Sequence, residues 1–314
     1  MLREYAITPQ VFSKEKHEND TSRRLALAQL YPELIEGAGV VRNLAEGAWE
    51  KIAANAADNI EGCRFLKALL QRKMVRGVAK WAGPVDGEND WIGVAQSEHA
   101  ARPLQGVICS PAIPNLPNPL ISRITHLDQC DWWKAHTSSQ NLERTSSAYR
   151  KFFEPLFYYS REIMFVDRHL DPTKPNYAEF AELLRFLHVK NPLCRVSIHR
   201  DFEMDKYVNS PAEIRGEWLE RFQRIADHSG HSFELVLRKK GAFTANFKSH
   251  DRYLISNMAI LSLTNGFDTQ KDALMTVTTW VDRTGEANRL RAFFEKKYGS
   301  DIESVIINPT PGNP

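Results

Sequence analysis

The residues with the most chemical potential gather around position 250. Lys248, His250 and Arg252 precede a short apolar run, Asn257 ends it, and Thr264, Asn265 and Gly266 follow. His250 and Arg252 are two apart, so on a strand they share one face. An imidazole can attack phosphorus as a nucleophile or donate a proton as a general acid. A guanidinium pairs with two phosphate oxygens at once. Lys248 and the cluster Arg238, Lys239 and Lys240 add positive charge. Together these residues read as a phosphate site that needs no metal. The plainer alternative is a structural histidine, with Arg252 paired to Asp251 or another carboxylate.

A second cluster, Asp167, Arg168, His169 and Asp171, follows the apolar run at 162–166. Asp167 can orient a catalytic group, and His169 can serve as a general acid. The alternative is a turn at Asp171-Pro172, with Asp167 tying down the strand end. Neither cluster has partners at metal-ligand spacing, so no metal is expected. The chain has no G-x-G-x-x-G after a strand, no Walker A, no G-x-S-x-G and no H-E-x-x-H, and no cofactor is expected.

These residues need a scaffold. The chain has 314 residues, 42% of them apolar and 25% charged, with a net charge of +2. Such a length suggests two domains. The near-neutral balance means that any nucleic-acid surface must be local. Cys63, Cys109, Cys130 and Cys194 lie far apart without a C-x-x-C, which fits reduced thiols in a cytoplasmic protein. The N-terminus has no apolar leader, and no run approaches the ~20 apolar residues of a membrane span.

The first part, residues 1–140, reads as a mainly helical domain. Helices are expected after Thr21 and Ser22, over 44–59, over 61–80 and over 139–159. The third carries Arg64, Lys67, Arg72, Lys73, Arg76 and Lys80 on its polar face. That face, with Trp81 and Trp91 nearby, is a candidate nucleic-acid contact, or else an ordinary solvated face. Trp132 and Trp133 read as core or interface. Residues 82–120 are broken by glycine and proline, with short strands expected at 91–95 and 106–109. Residues 141–307 alternate. Strands are expected at 162–166, 195–198, 232–237, 252–255, 260–263 and 273–281, with helices at 176–188, 210–228 and 286–298. This predicts an α/β fold with a mostly parallel sheet and helices on both faces. Ligands of such sheets sit beyond the carboxyl ends of the strands. Residues 308–314 read as a flexible tail.

The spacing His250-x-Arg252-x4-Asn257 resembles the His-x-Lys-x4-Asp motif of the phospholipase D superfamily. Thr264-Asn265-Gly266 looks like the small residue and Asn on that family's next strand. The resemblance covers roughly residues 145–300. It looks closest to divergent members, including modules of bacterial defence operons. It implies that His250 is the nucleophile, that Arg252 and Asn265 bind the phosphate, and that a second histidine protonates the leaving group. It also implies a homodimer that pools two motifs, or a subunit of a defence complex, acting as a metal-independent phosphodiesterase on nucleic acid in antiphage defence. Arg252 and Asn257 stand where the family has Lys and Asp. Those departures favour the alternative, a catalytically degenerate phosphate- or nucleic-acid-binding adaptor.

Overall fold

The computed structural model describes residues 2–56, 60–72, 74–114, 118–134, 139–202, 211–239, 252–269, 275–280, 285–296 and 302–311. The chain divides into two compact units, residues 2–137 and 138–314.

The first unit is built on β1 (Arg3–Ile7), α1 (Asp20–Tyr31), β2 (Gly39–Asn43), α2 (Ala48–Ala56), α3 (Ile60–Arg72), β3 (Met74–Arg76), α4 (Glu88–Ala101), β4 (Gly106–Cys109), β5 (Ile121–Arg123) and α5 (Asp131–Lys134). Its strands form one all-parallel sheet in the order β3-β2-β1-β4-β5. The expectation of a mainly helical domain is therefore corrected. The helices wrap a central parallel sheet, whose strands are buried on both faces. Tyr5, Ile7, Val41, Val107 and Ile108 meet Leu27, Leu30, Trp49, Leu69 and Trp91 in the core. The charged residues of β1 and β2 are paired. Arg42 is fully buried and donates to Glu4 at 2.6 and 2.9 Å and to Glu98 at 3.3 Å.

Three local readings change. The expected helix over 61–80 stops at Arg72, and β3 follows. The basic face is thereby divided, with Arg76 in a strand and Lys80 in the next loop. The expected strand at 91–95 lies inside α4, because a short apolar run does not tell strand from buried helix.

The second unit contains β6 (Ser139–Glu143), α6 (Ser146–Tyr159), β7 (Glu162–Val166), α7 (Phe180–Lys190), β8 (Arg195–Phe202), α8 (Pro211–Ser229), β9 (Phe233–Lys239), β10 (Arg252–Ser256), β11 (Ile260–Leu263), β12 (Met275–Trp280), α9 (Glu286–Glu295) and β13 (Ile302–Ile307). They form an eight-stranded sheet in the order β13-β9-β8-β7-β10-β11-β12-β6. Among the described residues, only β7/β8 and β8/β9 pair in parallel. The sheet is mixed, not mostly parallel as expected, because tight connections such as 257–259 can join only antiparallel neighbours. Helices lie on both faces. Phe157 of α6 and Phe180 of α7 pack on Phe165 of β7, while Leu290 and Phe294 of α9 pack with Met164, Val166, Tyr253 and Ile255.

The first part of the expected helix at 139–159 is the edge strand β6. The helix begins later, where the Thr145 side chain caps it by accepting from the Ala148 N–H at 3.2 Å. The stretch from Asn308, read as loose, is tied to α8. Gln223 donates to the Asn308 carbonyl at 2.8 Å, and the Thr310 N–H donates to Asp227 at 2.7 Å.

This topology sets the stage for the site. The parallel strands β7, β8 and β9 end at one edge of the sheet. Antiparallel β10 starts at that edge, and β11 ends there.

Candidate functional site

Asp167 follows β7 at this edge and is fully buried. Its Oδ1 accepts from the His169 N–H at 2.9 Å. Its Oδ2 accepts from the Phe267 N–H at 3.2 Å and the Tyr177 hydroxyl at 3.1 Å. Arg252 Nε lies 3.7 Å from Oδ1. Burial pushes the Asp167 carboxyl above the usual carboxylate range, against the pull of these hydrogen bonds and of Arg252. One carboxylate thus joins the loop after β7, the residue opening β10 and the turn after β11.

Arg252 opens β10 and donates from Nη1 to the Thr264 carbonyl at 2.6 Å. The turn that follows needs a glycine. Gly266 has φ +70°, and a methyl there would overlap the Asp167 carboxylate. Tyr149 secures the same turn from α6, donating to the carbonyls of Gly266 at 3.2 Å and Asp268 at 3.0 Å. Arg144 pairs with the Asp268 carboxylate through two hydrogen bonds. Within this turn, the Asn265 N–H donates to Thr276 Oγ1 at 3.2 Å, and its side-chain amide donates to the Met275 carbonyl at 3.3 Å.

His169 is exposed, on the short loop between Asp167 and Leu170. Its pKa is lowered to about 4. Loss of water on the packed side is the first cause. The charges of Arg252, Arg168, Lys174 and Arg200 add to it. The ring is therefore neutral at pH 7, the form that attacks or accepts a proton. An anion bound among these cations would oppose their effect and move the ring back toward the form that donates one.

Arg200, at the end of β8, completes the surround. It is 9% exposed, donates from Nε to the Asp201 carbonyl at 2.8 Å and from Nη1 to the Leu170 carbonyl at 2.9 Å. Its guanidinium stacks 3.5 Å from the Trp218 ring, and Arg221 lies 4.5 Å from that ring while donating to Asp171 at 3.1 Å. Burial of the Asp171 carboxyl is outweighed by the Thr173 hydroxyl and N–H and by Arg221, which hold its pKa below the usual value.

Of the residues singled out in the sequence, the structure brings Arg252, Asn265, Asp167 and His169 to one edge. Asn257 is at the other. Its Oδ1 accepts from the N–H groups of Arg161 at 2.8 Å and Glu162 at 3.4 Å, so it staples the start of β7 and is not part of the site. Arg238 is also corrected. It is 1% exposed, stacks on Phe293 and Phe294, and donates from Nη2 to the carbonyls of Phe293, Phe294 and Lys296. It serves the C-terminus of α9, where helix carbonyls lack intrahelical partners, and is not available to nucleic acid. His250, Lys248, Lys240 and Lys73 lie outside the described residues, as do the side chains of Lys239 and Arg72.

Tyr177, Tyr149 and Arg200 were not singled out as functional. The first two act through contacts across long sequence separations, which spacing does not report. Arg200 carried a usable signal, an arginine at the end of a strand beside the one ending at Asp167.

Cys109, Cys130 and Cys194 form no disulfide. Burial pushes the thiols of Cys109 and Cys194 up to about 12, which makes them poor nucleophiles. Among the described residues, no group of three or more His, Cys, Asp or Glu side chains could hold a metal ion, and no helix is long and apolar enough to cross a membrane. The sequence matches no protein-family model and no curated protein.

Proposed function

We propose that residues 138–311 form a phospholipase D-like module that binds a phosphodiester of nucleic acid at the carboxyl edge of β7 and β8. One observation carries this reading. Arg252, Arg168, Arg200 and Lys174 all act on an exposed, neutral His169, beside the turn that holds Asn265, whose side-chain amide donates to the Met275 carbonyl. Such a surround favours a phosphate group over a neutral ligand. The strand, helix and hairpin order implied by the family resemblance also supports it.

In the catalytic form of the proposal, a histidine attacks phosphorus, Arg252 neutralises a non-bridging oxygen, and a second histidine protonates the leaving oxygen. His169 is neutral before substrate arrives and gains proton affinity beside a phosphate anion, as an acid partner requires. His250 supplies the nucleophile; in the other arrangement implied by the resemblance, a homodimer pools two copies of the motif and the second copy's histidine takes the place of His169 as the acid. The antiphage role implied by the resemblance belongs to the same proposal.

The second reading is a binding module without catalysis, and Asn257 favours it. Held at the far edge, it cannot orient a nucleophilic histidine.

The test is cleavage of single- and double-stranded nucleic acid in EDTA by wild type, His250→Ala, His169→Ala and Arg252→Ala, with binding measured on the same samples. Metal-independent cleavage lost in both histidine variants supports the enzyme. Binding without cleavage, weakened in Arg252→Ala, supports the adaptor. Neither cleavage nor binding rejects both.

A further inference from the structure

We infer that Arg200 is a second phosphate-contacting residue of this site, gripping from β8 the same anion that Arg252 grips from β10. This rests on the phosphodiester reading.

Strand pairing fixes where the two arginines stand. Val166 is opposite His199 on β8 and opposite Tyr253 on β10. One residue further along β7, Asp167 is therefore flanked by Arg200 on one side and Arg252 on the other. Side chains at one register position point to the same face of a sheet. The preceding set confirms the alternation, since Val166, His199 and Tyr253 all meet Phe294 or its cluster on the α9 face. Asp167, Arg200 and Arg252 therefore belong to the opposite face, where Tyr177 and the turn at Phe267 meet Asp167. Strands two apart are separated by about 10 Å, so two long guanidinium arms can converge on one group above β7.

Donor use points the same way. Nε and Nη1 of Arg200 are spent on backbone carbonyls, which fix the plane of the guanidinium. Nη2 donates to no described residue. Trp218 holds the other dimension by stacking. A planar cation, locked in place with one end unspent, is suited to recognising an oxyanion. Its charge is only shared with Asp167, Asp171 and Asp201, and burial still lowers its pKa to about 10, so it remains charged at neutral pH. Asp167 is then the spacer between two arginines, which keeps them from repelling each other when no anion is bound.

The probe is inorganic phosphate added to the full chain, with the His169 ring followed by NMR. In wild type, saturation is expected to raise the His169 titration midpoint. In Arg200→Gln, the midpoint of the free protein should already be higher, because one cation is gone. Its phosphate affinity should fall by about 10-fold or more, the size expected for a lost charge-assisted hydrogen bond. Arg200→Lys keeps the charge but not the fork, so the free midpoint should stay low while affinity still falls. Arg200→Lys also carries the test if Arg200→Gln does not fold. Wild-type affinity in the Arg200 variants, with loss in Arg252→Gln, would overturn this inference and leave the phosphodiester reading standing. No response of wild type to phosphate would overturn both. A lower melting temperature with unchanged affinity would make Arg200 a purely structural tie between β8 and α8.

Discussion

Each unit buries a carboxylate at the carboxyl edge of its sheet, and the two are treated differently. In the first unit, strand order reverses between β1 and β4, where open α/β sheets usually bind ligands. Glu88 fills that point. It accepts from the Thr8 hydroxyl at 2.6 Å, the Ser110 N–H at 2.7 Å and the Ser110 hydroxyl at 2.6 Å. All three donors are neutral, and Thr8 and Ser110 are fully buried. The arginine in register beside that strand end, Arg123 opposite Cys109, donates to the Ile113 carbonyl at 2.7 Å, and Arg42 is spent on Glu4 and Glu98. In the second unit, Asp167 also accepts from neutral donors, but it lies among arginines and beside an exposed imidazole. A satisfied carboxylate can close a sheet edge or, with cations around it, prepare one. The nature of the neighbours decides which.

Four substitutions test this contrast. The largest effect is expected for Gly266→Ala. It forces an Ala methyl into the Asp167 carboxylate and into a left-handed backbone, and should cost about 3 kcal/mol or more, read as a lowered urea midpoint with loss of phosphate binding. Glu88→Ala should cost about 2–3 kcal/mol by leaving buried donors without an acceptor. It should leave phosphate binding by the second unit unchanged, and a loss of that binding would break the contrast.

Asp167→Asn is expected to change the pH dependence of stability. The folded pKa of Asp167 is raised, so its protonated form is favoured in the fold. Its contribution is fully present below the ordinary carboxylate pKa and is lost as pH rises through the raised value. The difference in unfolding free energy between wild type and Asp167→Asn should therefore shrink or reverse as pH rises across that window. A constant difference would mean that the Asp167 charge carries no burial cost. The smallest effect is expected for Arg252→Gln, in which the His169 midpoint should move upward from about 4 toward the ordinary imidazole value. An unmoved midpoint would detach Arg252 from the site.

Much of the second unit was legible because its strands are apolar runs separated by amphipathic helices, but the shared edge of Asp167, His169, Arg252 and Asn265 follows from strand pairing across long sequence separations. Asn257 was misplaced by reading motif spacing without strand geometry. Five residues along an extended strand span about 16 Å, which carries Asn257 to the other edge. The sheet of the first unit was hidden because its strands are short and Arg3, Glu4 and Arg42 interrupt their apolar pattern. Those charges are neutralised by partners far away in sequence, such as Glu33 and Glu98. β6 was hidden for another reason. Ser-Gln-Asn-Leu-Glu has little strand preference, and only its pairing with β12 makes it a strand.

That last pairing has a consequence for how the polypeptide matures on the ribosome. β6 opens the second unit, yet its partner is synthesised roughly 130 residues later, about ten seconds or more at typical elongation rates. During that interval Leu142, buried in the finished sheet, has no strand to cover it. The first unit contains all five strands of its own sheet and can be completed while β6 waits. Nascent chains arrested before β12 emerges should therefore protect the first unit from protease while remaining open to cleavage near 139–143.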